Sequence, residues 1–482
     1  MKDARKFYID GKWVDSIDGT DRAVINPSTE EEYATISLGG SQDLNTAIAA
    51  AKASFAVWSQ TSKKDRLDLL KTILDIYIRR GSEMGEAMSL EMGAPIDLAN
   101  GLQTAIGQVH IEAFIKTLEN FEFERPLSEG AKNDRIFYEP IGVCGLITPW
   151  NWPMNQVTLK VIPALAAGCT MILKPSEESP MSSLLFAEYL DEAGVPAGVF
   201  NLINGDGAGV GSQLTSHPDV DFVSFTGSTR AGQAITKSAA DTVKRVALEL
   251  GGKGANIIFD DADAEAVTRG ALHCFENTGQ SCNAPTRMLV QRSRYESAVE
   301  EASLAAKSLK VDHASKSGNH MGPAVNEAQF LKINSMIDVG IKEGARLVAG
   351  GTGKPAGLNR GFFVKPTVFA DCNNEMAVMN QEIFGPVLSM MPFDTEEEAI
   401  KIANDTPYGL ANYVQTQDPA KANRVARQLR SGMVEMNGNF RTAAEGSPFG
   451  GYKQSGNGRE GGIWGLEDFL EVKGVGGWNL DC

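Results

Sequence analysis

The sequence predicts an α/β protein with two parallel-sheet domains and a small β extension. Its 482 residues are too many for one hydrophobic core, so two or three domains are expected. Two stretches, residues 141–250 and 252–451, alternate short apolar segments with amphipathic ones. This alternation is typical of strands that are joined by helices packed on the faces of a parallel sheet.

The first alternating stretch predicts a doubly wound sheet. Five apolar runs are interpreted as strands with four helices between them, and the runs are GVCGLIT, TMILK, VFNLI, DFVSF and VKRVALEL. The helix after the second strand has Ser179 as a cap candidate, Pro180 in its first turn and Gly194 at its end, which is the usual asymmetry of helix ends. A sheet of this kind has right-handed crossovers and binds ligands at the carboxyl ends of its strands.

The rest of the chain divides around these two stretches. Residues 1–121 are predicted to be helical and poor in strands, with helices in SQDLNTAIAAAKASFAVW and KKDRLDLLKTILDIYIRRG. We assign them to the first domain together with residues 141–251, and residues 252–453 form the second domain. Residues 122–140 and 467–482 lie outside both domains and are predicted to be exposed strands that pair with another element.

Composition and charge exclude several kinds of partner. The net charge is −16, whereas proteins that bind nucleic acid or anionic membrane surfaces concentrate Lys and Arg. The amino-terminal stretch has no apolar core of signal-peptide length, and no run reaches the ~18 apolar residues of a membrane span. Six cysteines without a C-x-x-C pair predict a reduced, cytoplasmic protein. The five histidines have no H-x-x-x-H spacing, so no metal site is predicted.

One strand-to-helix turn has the features of a phosphate site. FTGSTRAG leaves a predicted strand at Phe225, carries Gly227 and Ser228 in the turn, and then opens a helix. Free backbone N–H groups and the helix dipole favour an anion there, although an ordinary capped turn explains the same residues. The glycine-rich NGDGAGVG, with Gly207 and Gly211, lacks the spacing of a dinucleotide fingerprint, and a flexible turn explains it equally well.

Two charged residues follow the second strand of the same sheet. They are Lys174 and Glu177, in LKPSEESP. A lysine here can reach ribose or phosphate oxygens, and a carboxylate accepts ribose hydroxyls and repels a 2′-phosphate. A solvated loop carries the same charges, so nucleotide binding is favoured by several features at one sheet edge rather than by any one of them.

The stretch NTGQSCNAPTR raises the question of whether Cys282 is a nucleophile. A nucleophilic cysteine needs a lowered pKa or a neighbouring base, and most single cysteines in globular proteins are structural. The small, polar surroundings of Cys282 favour a reactive thiol. His273 lies nine residues earlier, so a Cys–His hydrolase stays open as an interpretation.

Two further polar residues stand at the carboxyl ends of predicted strands. Asn151, in TPWNWPMN, follows the first strand, and Glu249, in LELGGKGANI, ends the fifth. An Asn amide can donate to an oxyanion, and a Glu carboxylate can take a proton from water. Together with Cys282 they suffice for thioester chemistry, while a turn residue and a surface carboxylate are the alternatives.

Seven motifs follow one another along the chain: TPWNWP, LKPSE, FTGS, LELGGK, GQSC, EIFGPV and PFGGYKQSGNGRE. Their order and separations resemble the motif set of the NAD(P)-dependent aldehyde dehydrogenase superfamily over nearly the whole chain. The resemblance implies an aldehyde dehydrogenase-like fold and an enzyme that oxidises an aldehyde to a carboxylic acid. It implies NAD as the cofactor, with NADP also accepted by some members that carry the same glutamate as Glu177.

The resemblance also implies a role for each catalytic residue. Cys282 matches the family's nucleophile, which forms a thiohemiacetal and then a thioester. Asn151 and the backbone N–H of Cys282 match the oxyanion donors, and hydride passes from the adduct to the nicotinamide. Glu249 matches the general base that activates water, and its presence favours hydrolysis of the thioester over its transfer to CoA.

The same resemblance implies the cofactor contacts and the domain roles. Lys174 and Glu177 match contacts to the adenosine ribose, and Ser228 matches the pyrophosphate contact. The full set of implied contacts is Thr148, Trp150, Lys174, Glu177, Gly207, Gly211, Phe225, Gly227, Ser228, Leu250, Glu382 and Phe384. The first domain then binds NAD, the second carries the nucleophile, and the two exposed segments join copies of the chain into a dimer or a tetramer.

The substrate is predicted only as a small aldehyde. The resemblance implies that residues beside the catalytic Asn and Cys, together with residues 437–447, line the aldehyde tunnel. Trp152 and Met154 suggest that this tunnel is apolar. Arg441 offers a partner for the carboxylate of a semialdehyde, but we prefer a structural role for this side chain. The alternative functions are a cofactor-independent thiol esterase and a semialdehyde-specific dehydrogenase. A non-catalytic protein that keeps the fold is a further alternative, but it predicts a damaged catalytic set, whereas all three catalytic positions are occupied by the expected residue types.

Overall fold

The computed structural model describes residues 2–479. The strands, in chain order, are β1 (Lys2–Asp3), β2 (Phe7–Ile9), β3 (Lys12–Val14), β4 (Thr20–Asn26), β5 (Glu31–Leu38), β6 (Glu124–Ser128), β7 (Ala131–Pro140), β8 (Val143–Ile147), β9 (Thr170–Lys174), β10 (Phe200–Leu202), β11 (Phe222–Thr226), β12 (Arg245–Glu249), β13 (Ala255–Ile258), β14 (Arg287–Gln291), β15 (Arg346–Ala349), β16 (Thr367–Ala370), β17 (Val387–Phe393), β18 (Ala411–Gln415), β19 (Met433–Met436), β20 (Gly456–Asn457) and β21 (Leu470–Val475). The α-helices are α1 (Ser41–Trp58), α2 (Lys63–Arg79), α3 (Gly81–Met92), α4 (Ile96–Leu98), α5 (Thr104–Asn120), α6 (Pro153–Ala167), α7 (Pro180–Glu192), α8 (Ser212–Ser216), α9 (Thr229–Ala239), α10 (Ala266–Phe275), α11 (Tyr295–Ser308), α12 (Glu327–Lys342), α13 (Ala377–Asn380), α14 (Glu396–Asn404), α15 (Pro419–Gln428) and α16 (Gly462–Glu467).

The first sheet confirms the doubly wound prediction. Its strand order is β20-β12-β11-β8-β9-β10-β2-β3. The strands β8 to β12 are parallel and correspond to the five predicted apolar runs, while β2, β3 and β20 add antiparallel edges. From β8 the chain adds β9 and β10 on one side of the sheet, and it then adds β11 and β12 on the other side. Such sheets bind ligands at their carboxyl edge near this switch point, which lies between β8 and β11.

Both faces of the first sheet are buried, as the continuous apolar runs predict. In β8, Cys144 and Leu146 belong to one hydrophobic core, and Val143 and Ile147 belong to another core on the opposite face. This alternation follows from the two-residue period of a strand.

None of the helices in residues 2–479 combines the length and the apolar character that a membrane-spanning helix requires.

Two connections of this sheet contain helix-breaking residues within helical segments. The helix α6 continues through Pro163 as one element and ends at Ala167, before Gly168, which adopts a left-handed conformation. The glycine-rich stretch, which the sequence presents as a turn, is helical: Gly207–Gly211 form a π turn that leads into α8. The side chain of Asp206 caps this turn by accepting the N–H of Gly209, which compensates for the low helix propensity of glycine.

The second sheet contains seven strands in the order β15-β16-β17-β14-β13-β18-β19. All neighbours are parallel except β15, which pairs antiparallel with β16. A separate hydrophobic core lies around this sheet. The segment with Cys282 lies between α10 and β14, so the predicted nucleophile belongs to the second sheet and its helices.

The two segments that the sequence predicts to lie outside both domains pair with each other. They form an antiparallel sheet in the order β21-β7-β6. Large apolar side chains on this extension are exposed, among them Leu127, Val472 and Trp478. The carboxyl-terminal residues 480–482, which the prediction included in this extension, lie outside the described residues.

The amino-terminal region corrects the prediction of a strand-poor segment. Five short strands occupy residues 2–38, of which β1, β5 and β4 form a small sheet of their own. The hairpin β2–β3 turns at Asp10 and Gly11, which have φ of +52° and +69°. Asp-Gly is the preferred pair for such a turn, so the signal is present in FYIDGKWV, but the flanking strands are too short to show a clear period.

Candidate active site

The loop that carries Cys282 has an unusual backbone. Asn277, Thr278 and Gly279 have φ of +50°, +61° and +66°, a left-handed region that is strained for a β-branched residue such as Thr. A Cβ atom on Gly279 would lie 2.3 Å from the backbone carbonyl carbon of Gly385. Only glycine therefore allows the loop to lie this close to the segment before β17.

Hydrogen bonds tie this loop to the carboxyl end of β8. The Nδ2 of Asn151 donates to the carbonyl oxygen of Gln280 at 2.9 Å, and the Nε1 of Trp152 donates to the Oγ of Ser281 at 2.8 Å. Asn151 is buried, with 3 % of its surface exposed. The amide that the sequence offers as an oxyanion donor thus contacts the residue two positions before Cys282.

The side chain of Cys282 is half-buried at the boundary between the two sheets. It packs against a small cluster that includes Leu410 and Tyr413. A Cβ atom on Gly252 would lie 2.4 Å from the carbonyl oxygen of Cys282, so the turn after β12 contacts the cysteine backbone directly. The strand that ends at Glu249 and the loop that carries the thiol therefore meet in one place.

Burial and negative charge both disfavour the thiolate of Cys282. Burial is the largest cause of a raised pKa for this thiol. The carboxyl groups of Glu382, Glu249 and Glu460 raise it further. At neutral pH the group is therefore a thiol, and its nucleophilicity depends on removal of a proton.

Alkylation of Cys282 by iodoacetamide in the cofactor-free protein is expected to become faster as pH rises. A raised pKa means that the reactive thiolate fraction grows by about tenfold per unit between pH 7 and pH 9. The rate can be followed by mass spectrometry of the peptide that contains Cys282. Alkylation of Cys282→Ala gives the background from the other thiols, and a rate that levels off below about pH 8 would contradict the raised pKa.

Glu249 ends β12 with a carboxyl group that is almost fully buried. Neither of its oxygens has a hydrogen-bond partner among residues 2–479. Burial raises its pKa well above the ordinary value and Glu460 adds to the shift, while Lys160 and Arg459 oppose it. A raised pKa makes the carboxylate of Glu249 a stronger base, which favours a role as a general base.

Sequence reasoning missed the buried ion pair between Lys160 and Glu460. Lys160 lies on α6 with no exposed surface, and its Nζ also donates to the Oγ1 of Thr226 at 2.8 Å. Buried charges are retained in proteins when they are paired. The signal that the sequence offers is a single lysine in the apolar helix NQVTLKVIPALAAG, while Glu460 stands in the last motif without an assigned role.

The predicted cofactor contacts of the first sheet lie along one edge. Each one ends or follows a parallel strand: Thr148 and Trp150 follow β8, Lys174 and Glu177 lie at the end of β9, Gly207 and Gly211 follow β10, Phe225, Gly227 and Ser228 lie at the end of β11, and Leu250 follows β12. This is the carboxyl edge of the sheet, where doubly wound proteins bind nucleotides.

The charges and the helix end at this edge fit a dinucleotide. Lys174 Nζ lies 3.5 Å from Glu177 Oε2, and Arg22 Nη1 lies 3.8 Å from the other oxygen of Glu177. Ser228 caps α9 by accepting the backbone N–H of Ala231 at 3.3 Å. The positive end of the α9 dipole therefore lies at the edge and favours a phosphate group there.

The remaining two predicted contacts come from the side of the second sheet. Glu382 Oε1 accepts the backbone N–H of Gly252 at 2.9 Å, and the ring of Phe384 packs edge-on against Trp150 with centroids 5.4 Å apart. Phe384 has a left-handed φ of +59°, and its carbonyl oxygen accepts a hydrogen bond from Gln329 Nε2 at 2.7 Å. Glu382 and Phe384 thus contact the carboxyl edge of the first sheet from the side of the second.

Two residues that the sequence offers for the substrate, Met154 and Arg441, have other contacts in the structure. Met154 has no exposed surface and packs into the first core, because it lies on the buried first turn of α6. Arg441 Nη1 donates to the carbonyl oxygen of Pro448 at 2.7 Å, its Nε lies 3.3 Å from Glu435 Oε1, and its guanidinium stacks over Phe449 at 5.4 Å. These contacts favour the structural role for Arg441.

His273 does not act on Cys282 in this structure. Its ring packs edge-on against Tyr413 and Phe440, with centroids 5.3 Å and 5.6 Å away, and burial lowers its pKa to about 4. No hydrogen bond joins His273 and Cys282 in the described part of the chain. The Cys–His arrangement of a thiol hydrolase is therefore not formed by these two residues.

Comparison with known proteins adds three close similarities. The model of the aldehyde dehydrogenase family matches residues 13–475. The chain is 50 % identical over 480 residues to 3-succinoylsemialdehyde-pyridine dehydrogenase of a Pseudomonas species, with 99 % of each chain covered. It resembles the crystal structure of aldehyde dehydrogenase from Bartonella henselae, with 57 % identity, a TM-score of 0.98 and coverage of 99 % and 100 % of the two chains.

A third relative was solved with its ligands. It is a cysteine-to-alanine mutant of aldehyde dehydrogenase C from Pseudomonas syringae in complex with NAD⁺ and octanal. It shares 46 % identity and a TM-score of 0.96 with this chain, over 99 % of this chain and 97 % of the other. Since the family model covers nearly the whole sequence, this chain belongs to the aldehyde dehydrogenase family.

Proposed function

We propose that this chain oxidises an aldehyde to a carboxylic acid with NAD as the hydride acceptor. The observation that carries the proposal is the meeting of Cys282, Asn151 and Glu249 in one crevice, whose wall is the carboxyl edge of a doubly wound sheet. The Pseudomonas syringae relative, which is in complex with NAD⁺ and octanal, supports both the cofactor and the substrate class.

Cys282 begins the reaction as the nucleophile. The thiol first releases its proton to solvent. The thiolate then attacks the carbonyl carbon, and the carbonyl oxygen becomes an oxyanion that accepts hydrogen bonds from the Asn151 amide and the Cys282 backbone N–H. NAD, bound along the carboxyl edge, supplies the acceptor for the hydride that leaves the thiohemiacetal carbon. The product of this stage is a thioester on the Sγ of Cys282.

Glu249 completes the reaction by activating water. Its carboxylate takes a proton from a water molecule, and the resulting hydroxide attacks the thioester carbonyl while Asn151 again donates to the oxyanion. The carbon–sulfur bond then breaks, which releases the carboxylic acid and restores the thiolate of Cys282. Lys160 favours the ionised form of Glu249 and Glu460 opposes it, so this buried pair adjusts the basicity of the catalytic carboxylate.

Replacing Glu177 by alanine is expected to weaken NAD binding by about tenfold, because the carboxylate that accepts the ribose hydroxyls is lost. Binding of NADP should weaken less, since the repulsion of its 2′-phosphate is lost as well. Titration of both cofactors with protein fluorescence as the signal measures the two Kd values. Glu178→Ala is the matched control, because Glu178 pairs with the same Arg22. An unchanged preference between NAD and NADP would remove the cofactor argument.

A semialdehyde-specific dehydrogenase is the second candidate, favoured by the name of the Pseudomonas relative. Because the guanidinium of Arg441 is already engaged by Glu435 and Pro448, Arg441→Ala is expected to lower kcat/KM on succinic semialdehyde and on hexanal by the same factor. Steady-state kinetics on the two substrates measure both values. A loss confined to succinic semialdehyde would instead assign the carboxylate of that substrate to Arg441.

A spectrophotometric assay tests the proposed function. The protein is mixed with NAD and, in turn, with aliphatic, aromatic and carboxylate-bearing aldehydes, and the absorbance of NADH is recorded. Formation of NADH together with the carboxylic acid supports the proposal. Hydrolysis of 4-nitrophenyl acetate without NADH formation from any aldehyde would favour the cofactor-independent thiol esterase.

We assign the domain roles on the same basis. Residues 1–121 and 141–251 form the NAD-binding domain, and residues 252–453 form the catalytic domain. The carboxyl-edge positions of the cofactor contacts and the place of Cys282 before β14 support this division. Sparse cysteines, none of them paired among the described residues, support a reducing, cytoplasmic location.

Residues 122–140 and 467–482 are proposed to join copies of the chain into a dimer or a tetramer. The exposed side chains of Leu127 and Val472 on the β21-β7-β6 sheet support this proposal, because exposed apolar patches mark association surfaces. Light scattering of the purified protein gives the number of subunits.

A further inference from the structure

We propose that Asn277 is a positioning residue that fixes the direction in which the Asn151 amide donates to the oxyanion. The inference rests on the proposed function, since it concerns the oxyanion formed on a carbon bonded to Cys282. Asn277 lies five residues before Cys282, on the left-handed turn of the catalytic loop. It is not a contact of substrate or cofactor and acts through Asn151.

The side-chain amide of Asn277 donates to two carbonyl oxygens, one of Asn151 itself and one of the residue that accepts the Asn151 amide. The Nδ2 of Asn277 donates to the carbonyl oxygen of Asn151 at 2.8 Å and to the carbonyl oxygen of Gln280 at 3.3 Å. The Nδ2 of Asn151 donates to the same Gln280 oxygen at 2.9 Å. The three residues form a closed ring of hydrogen bonds, and two donors saturate the two lone pairs of the Gln280 carbonyl.

The ring determines where the second N–H group of Asn151 points. An amide nitrogen carries two protons in one plane. When the first proton is held by the Gln280 carbonyl, the direction of the second is fixed, and this second proton is the one available to the oxyanion. A donor that is set before the reaction stabilises an oxyanion without reorganisation, and displacements of about 1 Å in such sites lower rates by as much as about 100-fold.

Asn277 is itself held from several sides. Gln103 Nε2 donates to its Oδ1 at 3.2 Å, and the backbone N and the Nε2 of Gln280 both donate to its carbonyl oxygen at 3.1 Å. The Oε1 of Gln280 in turn accepts the backbone N–H of Val325 at 2.9 Å. All of these side chains are buried, so water does not compete for the bonds and the network is rigid.

The backbone explains why asparagine suits this position. Its φ is +50°, and asparagine is one of the few residues other than glycine that adopt the left-handed region readily. Glycine would adopt the same backbone without strain but would lack both N–H donors. The two roles of Asn277, in the turn and in the hydrogen-bond ring, can therefore be separated by substitution.

Asn277→Gly is the main variant, because it removes the amide and keeps the backbone permitted. Thr278→Gly is the matched control: it makes the same change at the next left-handed residue, whose Oγ1 donates to the carbonyl oxygen of Gly322 at 3.0 Å and not to Asn151. Gln103→Leu is the second variant, since it removes the support of Asn277 without altering the loop. If Asn277→Gly does not fold, Gln103→Leu decides by the same measurements.

Three rates are compared in each protein: NADH formation from hexanal, hydrolysis of 4-nitrophenyl acetate, and alkylation of Cys282 by iodoacetamide. In Asn277→Gly the kcat of both oxyanion-forming reactions is expected to fall by about 30-fold or more, with KM for hexanal changed by less than about threefold. Alkylation should be unchanged, because iodide leaves a saturated carbon and no oxyanion forms. Gln103→Leu should lower the same two rates by about threefold or more, and Thr278→Gly should retain them.

Two outcomes overturn the positioning role of Asn277. In the first, Asn277→Gly retains both oxyanion-forming reactions. In the second, it loses alkylation by the same factor as oxidation, which means that the loop as a whole has moved. Wild-type protein that hydrolyses the ester without oxidising any aldehyde overturns the proposed function alone, and the ester still tests Asn277. Wild-type protein without either activity overturns both inferences.

Discussion

Replacing Cys282 by alanine is expected to abolish NADH formation and ester hydrolysis together, with a loss of at least about 10⁴-fold in kcat. Alanine keeps the backbone N–H that donates to the oxyanion but leaves no atom to bond to the carbonyl carbon. Both reactions pass through a covalent adduct on the same sulfur, so they should disappear in parallel. Steady-state assays with hexanal and NAD, and with 4-nitrophenyl acetate, measure the two losses.

Cys372→Ala is the matched control for this prediction. Cys372 is buried in the core around the second sheet, and its Sγ lies 3.9 Å from the carbonyl oxygen of Ala370. The substitution likewise replaces a thiol by a hydrogen atom, here in the core around the second sheet. It should leave both activities in place. Oxidation that persists in Cys282→Ala would overturn the nucleophile assignment, whatever the ester result.

Replacing Glu249 by glutamine is expected to slow steady-state turnover by about 10²- to 10³-fold. The amide has nearly the same shape as the carboxyl group but cannot accept a proton from water, so the thioester on Cys282 is formed and then hydrolysed slowly. Hydride transfer precedes this step and should continue in the first turnover. Stopped-flow absorbance is therefore expected to record a burst of NADH close to one equivalent per site, followed by a slow phase.

Glu300→Gln provides the control, because Glu300 is an exposed carboxylate on α11. It should leave both the burst and the steady-state rate of wild-type protein unchanged. If the NADH burst of Glu249→Gln slowed by the same factor as its steady-state turnover, Glu249 would act in a step before hydrolysis of the thioester.

The parallel core of the first sheet follows directly from the sequence. Runs such as TMILK have a continuous apolar centre because both faces of the strand are buried, and the turn residues around them define their ends. Once the topology is known, Lys174 and Glu249 must lie at the same edge because the strands that carry them are parallel. Local pattern and sheet topology together were sufficient for these positions.

The hydrogen-bond network of the site could not be predicted in the same way. Gln103 and Asn277 are 174 residues apart, and Lys160 and Glu460 are 300 residues apart. Such contacts depend on how the two sheets and their helices pack against each other, which no local period encodes. Met154 is a smaller example. Its place near Asn151 in the sequence suggests the aldehyde tunnel, whereas in the structure its side chain lies on the face of α6 that packs into the hydrophobic core.

The central claim is that the aldehyde becomes bonded to the sulfur of Cys282. Intact-protein mass spectrometry of Glu249→Gln, quenched in acid shortly after mixing with NAD and hexanal, tests it most directly. The account predicts a mass increase of one hexanoyl group, located on the peptide that contains Cys282, in proportion to the NADH burst. NADH formed in a full burst without any acyl group on that cysteine would contradict it.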